Sequence, residues 1–183
     1  MQASETYESP DGHFTIHYET SGSQAVPPED TDNDGIPDYV EEVAAAADSS
    51  YRHEVEQIGY TDPIISNTYD IEIVNMRDIY GQDFYGVTTV QNQTTFIRIE
   101  NDFAEGFPPN DDPEGNQIGA IKVTIAHEFK HAVQYEANEW QGETGSWLEM
   151  DATLMEELVY DNVNDYYNYI NARNSIFNNP SLG

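Results

Sequence analysis

The stretch "TIAHEFKHAVQYEANEW", residues 124–140, holds the pattern on which the fold of this chain turns. Ile121, Ile125, Phe129, Ala132 and Val133 recur at three- and four-residue spacing and predict a helix over 118–138 with one buried face. His127 and His131, four apart, then lie on one side of that helix about one turn apart, where both imidazoles reach a single zinc ion. Glu128 is one step further round, placed to hold a water on that ion. The plain alternative is a solvated helical face whose two histidines bind nothing. HExxH arises by composition alone in roughly one chain of this length in a hundred, so the decision rests on a third ligand.

That ligand is sought in "SWLEMDATLMEELVY", which follows the turn-prone "QGETG" and predicts a second helix over 146–160. Ser146 and Glu149 have the spacing of a capping box. Trp147, Leu148, Ala152 and Met155 predict a largely buried start to the helix. The interval from His131 to Glu149 lets one helix end, reverse and pack beside the next. A carboxylate there completes a His₂Glu site with its fourth position left to water; the alternative role for Glu149 is the cap alone. A closed, structural zinc site would have to recruit Asp151, since no Cys exists and no further His lies nearby.

"DTDNDGIPDYVE", residues 30–41, matches a calcium loop. Asp30, Asp32 and Asp34 occupy positions 1, 3 and 5, and Gly35 at 6 permits the sharp turn. Ile36 offers a carbonyl at 7, Asp38 stands at 9, and Glu41 stands at 12. Pro37 lacks an N–H and cannot pair with a second such loop, so a single strand–loop–helix site is expected. Its role would be structural, tying the helix over 38–57 to the first strand. The alternative is an acidic turn with Asp38 and Glu41 capping that helix.

"HEFKHAVQ" followed by "WLEMDATLMEE" resembles the HExxH zinc metallopeptidases of the gluzincin, thermolysin-like group. More narrowly, together with "DTDNDGIPDYVE", it is similar to a set of secreted bacterial metalloproteases with an N-terminal DxDxDG calcium loop. The resemblance covers most of residues 12–170. It implies a zincin-like catalytic domain, His127, His131 and Glu149 as zinc ligands, and Glu128 as the catalytic carboxylate of an endopeptidase. It also implies secretion; the N-terminus "MQASETYESPDG" has no signal-peptide pattern, so the leader is expected to have been removed. Two departures stand out. Lys130 sits inside the motif where the group often has an apolar residue, a departure that is harmless if the side chain points outward. No His follows His131 to steady an oxyanion, which leaves a tyrosine such as Tyr160. The chain ends at "NNPSLG" where larger relatives continue.

Charge narrows the partners. Thirty-five acidic residues face six basic ones, a net charge of −29. That field repels nucleic acid and anionic membranes, invites cations, and favours basic or neutral peptides over acidic ones. It also suits a salt-adapted surface. Alternating apolar residues predict strands over 13–20, 69–76, 85–90 and 94–100, the last expected as the edge strand that binds an extended substrate. The acidic Pro/Gly segment 101–116 reads as a solvated loop, and a last helix is expected over 162–174. His13, His17 and His53 share no ligand spacing. The expectation is one α+β domain, monomeric, with a mixed twisted sheet of about four strands, zinc and calcium as its metals, and protein or peptide as its substrate. The rival is a non-catalytic calcium-binding surface module with an incidental or inactive HExxH.

Overall fold

The computed structural model describes residues 5–104, 107–142 and 145–170. Over these residues the fold is α+β, with a mixed five-stranded sheet and five α-helices. The strands are β1 (Glu5–Glu8), β2 (Phe14–Tyr18), β3 (Tyr69–Val74), β4 (Gly86–Gln91) and β5 (Thr94–Glu100). The helices are α1 (Asp38–Tyr51), α2 (Met76–Tyr80), α3 (Asn116–Asn138), α4 (Gly145–Val159) and α5 (Tyr167–Ile170). The sheet runs β1-β2-β3-β5-β4, with β2, β3 and β5 mutually parallel and the two outer strands antiparallel to their neighbours.

Five strands replace the expected four because the short, mostly exposed "ETYE" of β1 carries no alternation to betray it and is held by pairing with β2. The expected edge strand over 94–100 is interior: β5 lies between β3 and β4, and β4 is the edge. The expected strand over 69–76 stops at Val74. There Asn75 accepts a hydrogen bond from the Asp78 amide and starts α2.

Alternation puts Phe14, Ile16, Tyr18, Ile71, Ile73, Ile97 and Ile99 on one buried face of the sheet. Both α1 and α3 cover it: Phe14 meets Tyr51 at the end of α1 and Phe129 of α3, with ring centroids 6.4 and 5.6 Å apart. The opposite face carries the Arg98–Glu72 and His17–Asp70 pairs. The helix expected over 38–57 changes pitch partway. After Tyr51 it continues as a π-helical segment, Arg52–Ile58, that stops at left-handed Gly59. π turns recur at functional positions, and this one buries Glu54.

α4 departs from expectation at its start. It begins at Gly145, so Ser146 lies inside the helix rather than capping it. Trp147 is 64% exposed, and Met150, Leu154 and Leu158 are also exposed; only Ala152 and Met155 are buried. Residues 161–166 form turns before α5, and residues 171–174 of the expected last helix lie outside the described residues. Within the loop 101–116, Asp112 is buried and paired with Lys122 of α3 rather than solvated. No described helix is long and apolar enough to cross a membrane.

Candidate metal centre and cleft

α3 and α4 pack antiparallel. His127 meets Glu149 and Glu156, and Gln134, two turns further along α3, meets Leu148 and Asp151. This brings His127, His131 and Glu149 together. His127 Nε2 lies 3.2 Å from His131 Nε2 and 3.1 Å from Glu149 Oε2, and His131 Nε2 lies 3.6 Å from Glu149 Oε1. Ligands about 2.0–2.1 Å from a tetrahedral zinc stand about 3.3 Å from one another, so the spacing fits.

The outward nitrogens decide the chemistry. His127 Nδ1 is 2.6 Å from Glu156 Oε1, and His131 Nδ1 is 2.8 Å from Gln134 Oε1. Both partners are acceptors, so both Nδ1 atoms carry protons and, on neutral rings, both Nε2 lone pairs face Glu149. Three acceptors converging this way repel unless a positive charge sits among them. Without a metal that charge is a proton. Burial opposes it on His127, yet hydrogen bonds to Glu149 and Glu156 outweigh burial and lift the imidazole to about 10. Hydrogen bonds from His127 and His131 hold Glu149 far below the usual carboxylate range. A divalent cation answers the same demand, and the donor set, two imidazoles and a carboxylate, suits zinc.

Glu128 is buried beside this group without joining it. Burial pushes its carboxyl up, with His127 and His131 pulling the other way. Thr88 Oγ1 of β4 is 2.8 Å from Glu128 Oε2 and 2.7 Å from the Glu128 carbonyl oxygen, so its single proton serves one of them at a time. β4 comes this close because of Gly86. A Cβ there would stand 2.7 Å from Thr124 Cγ2 and 3.0 Å from Glu128 Cγ and the Arg98 carbonyl.

Lys130 does not point outward. It is buried, with Nζ 3.1 Å from Asp151 and 3.4 Å from the centre of the Tyr60 ring, and so clamps α3 to α4 and to the segment after the π turn. Asp151 is therefore engaged by Lys130 and Gln134, away from the histidine pair. Tyr160 is also elsewhere, its hydroxyl 3.4 Å from the Ala46 carbonyl on α1. The sequence reading missed Thr88, Gln134, Trp140 and Glu156. Trp140 donates to the His131 carbonyl at 2.9 Å. For Glu156 a signal existed, since it lies two helical turns beyond Glu149 on the same face.

Two cavities flank the centre, and His127, Glu128 and Glu149 border both. One, of about 390 Å³, runs along Gly86–Thr88 of β4 to Trp140. The other, of about 360 Å³, lies toward Tyr85, Asp165 and α5.

In the loop 30–41, ligand atoms of Asp30, Asp32 and Asp34 lie within 4.8 Å of one another. Left-handed Asn33 and Gly35, with φ of 63° and 97°, bend the loop round them. The amides of Gly35, Asp34 and Ile36 donate to Asp30, Asp32 and Asp34 respectively. Asp30 Oδ1 is buried with no hydrogen-bond partner among the described residues, an orphan that a calcium ion would satisfy. Glu41 faces the cluster without joining it: burial and the charges of Asp34 and Asp32 push its carboxyl up. Asp38 is turned away, its two oxygens accepting from the Thr31 amide and hydroxyl at 2.8 and 2.6 Å. The Ile36 side chain packs against the core.

His13 groups with Asp11 and Asp48. There the carboxylates are already engaged: Arg52 holds Asp11, while Asp48 accepts from the Ser9 hydroxyl and the Asp11 amide. Comparison of the chain with family models, with curated proteins and with solved structures finds no match.

Proposed function

We propose that this protein is a zinc endopeptidase of zincin-like architecture, of the gluzincin group and secreted, with a structural calcium site. The observation that carries the reading is the convergence of His127 Nε2, His131 Nε2 and Glu149 while both Nδ1 atoms are held by acceptors. A zinc ion held by these three residues supplies Lewis-acid polarisation of a water and of a peptide carbonyl.

The remaining work belongs to the chain. Glu128, buried and oriented by Thr88, accepts a proton from the attacking water at its carboxylate and returns it to the leaving amine. Burial pushes its carboxyl up, against the pull of His127 and His131, which favours holding the proton between the two transfers. Glu156 and Gln134 fix the two rings. An extended peptide lies along edge strand β4, where Gly86–Thr88 border the cleft, and spans both cavities past Glu128. The net charge of −29 steers basic and neutral peptides toward it.

Elemental analysis of untagged protein purified without chelators tests this, comparing wild type with Glu149→Ala. About one zinc per chain, largely lost in the variant with calcium unchanged, is the expected result. Calcium without zinc, even after zinc is offered, overturns the peptidase reading. It would leave the non-catalytic calcium module, which the orphaned Asp30 oxygen independently favours.

A further inference from the structure

We propose that the cavity between the centre and α5 is a specificity pocket for a lysine or arginine side chain, with Asp165 as the carboxylate that reads the charge. The proposal rests on the peptidase reading and names its substrate class.

The cavity, of about 360 Å³, opens beside His127, Glu128 and Glu149 and is walled by the rings of Tyr85, Tyr166 and Tyr169. Asp165 lines it while being only 2% exposed. Its carboxylate is poorly served from within: the Tyr85 hydroxyl and the Asn168 amide each donate to Oδ1 at 3.4 Å, near the limit of a hydrogen bond. Its charged neighbour is Glu156, a like charge. The cations among the described residues are committed elsewhere: Arg52 to Asp11, Arg77 to Asp83, Arg98 to Glu72, Lys122 to Asp112, and Lys130 to Asp151. Burial and Glu156 together push Asp165 up to about 6, as expected of a buried carboxylate with no countercharge among the described residues.

An incoming Lys or Arg supplies that countercharge. Its methylene stem lies against the tyrosine faces and its head makes charge-assisted hydrogen bonds to Asp165. A neutral side chain of equal length fills the walls and leaves the carboxylate unpaired; an acidic one meets two carboxylates.

The test uses the zinc-loaded chain and peptides differing at one position: Arg, Lys, norleucine or Glu. Cleavage sites are mapped by mass spectrometry, and kcat/KM is measured for wild type and Asp165→Asn. Hydrogen bonds to charged groups predict roughly a 10–100-fold preference for the basic peptides over norleucine, collapsing toward unity in the variant. Cleavage without that preference, or a preference unchanged by Asp165→Asn, overturns the proposal and leaves the peptidase reading intact. Agmatine binding, followed by calorimetry, serves where hydrolysis cannot. Should no peptide be cleaved with zinc bound, the peptidase reading fails, and agmatine binding to wild type decides the pocket on its own. Should Asp165→Asn not fold, agmatine competition with the norleucine peptide in wild type decides it. Absence of agmatine binding overturns the proposal in both cases.

Discussion

Nδ1 of His127 lies 2.6 Å from Glu156, while Nε2 of the same ring lies 3.1 Å from Glu149. One imidazole is thus held at both nitrogens by carboxylates two turns apart on α4, and the Glu156 contact sets which nitrogen turns toward His131 and Glu149. Glu156→Gln loses the charge that raises ring basicity. Zinc affinity should fall about 10–100-fold, read by competition with a chromophoric chelator. Unchanged affinity would remove Glu156 from the centre.

Glu128 and Glu149 should separate cleanly. Glu128→Gln keeps about one zinc per chain and lowers peptide hydrolysis by roughly 10²–10⁴-fold, the usual contribution of a positioned acid–base group. Thr88→Val, which removes the hydroxyl 2.8 Å from Glu128 Oε2, should lower kcat by a smaller factor with little effect on KM. Steady-state kinetics beside metal analysis distinguishes these outcomes from simple metal loss.

Calcium should set the stability of the 30–41 loop. A ligand bound only by the folded state at 100 times its Kd adds about 2.7 kcal/mol. Chelation with a calcium-selective reagent should therefore lower Tm, and readdition should restore it. Asp30→Ala removes the orphaned oxygen and should abolish the calcium response. A Tm indifferent to calcium in the wild type would reduce the loop to an acidic turn.

Glu54 should make the fold more stable on the acid side of neutrality. Burial raises its carboxyl to about 8, with Lys130 pulling the other way, and neither oxygen has a hydrogen-bond partner among the described residues. Between the unfolded value near 4.5 and 8 the folded chain holds a proton that the unfolded chain releases. Stability from this group is therefore present below 4.5 and is lost as pH rises through 8. The full swing is on the order of 5 kcal/mol. Glu54→Met should flatten the decline of Tm between pH 5 and 9; an equally steep decline in the variant would assign it to other groups.

Lys130 should matter for packing rather than chemistry. Lys130→Met retains the stem but removes the ion pair to Asp151 and the charge over Tyr60. Asp151 keeps its Gln134 contact and part of its solvent, so the loss should be about 1–2 kcal/mol in a denaturant titration. Lys130→Ala, which also opens a void, should cost more.

Much of this protein was legible one segment at a time. The periodicity of Ile121, Ile125, Phe129 and Val133, the alternation in β2 and β3, and the spacings of His127, His131 and Asp30, Asp32, Asp34 are local signals, because side-chain direction repeats every 3.6 residues on a helix and every two on a strand. Even Glu149 was within reach, since a short reversal forces consecutive helices to pack side by side. Sheet order was not: that β4 and not β5 forms the edge depends on the parallel pairing of β3 with β5 across more than twenty residues, which no local pattern encodes. The same holds for Lys130, whose inward turn needs Asp151 and Tyr60 to be waiting, and for Trp147, left exposed because nothing among the described residues packs over that face of α4. The cavity beside the histidines joins Tyr85 from before β4, Glu156 from α4 and Asp165 from the turn after it. Chain reversal decided which distant carboxylates share a space, and burial decided how strongly each one demands a cation.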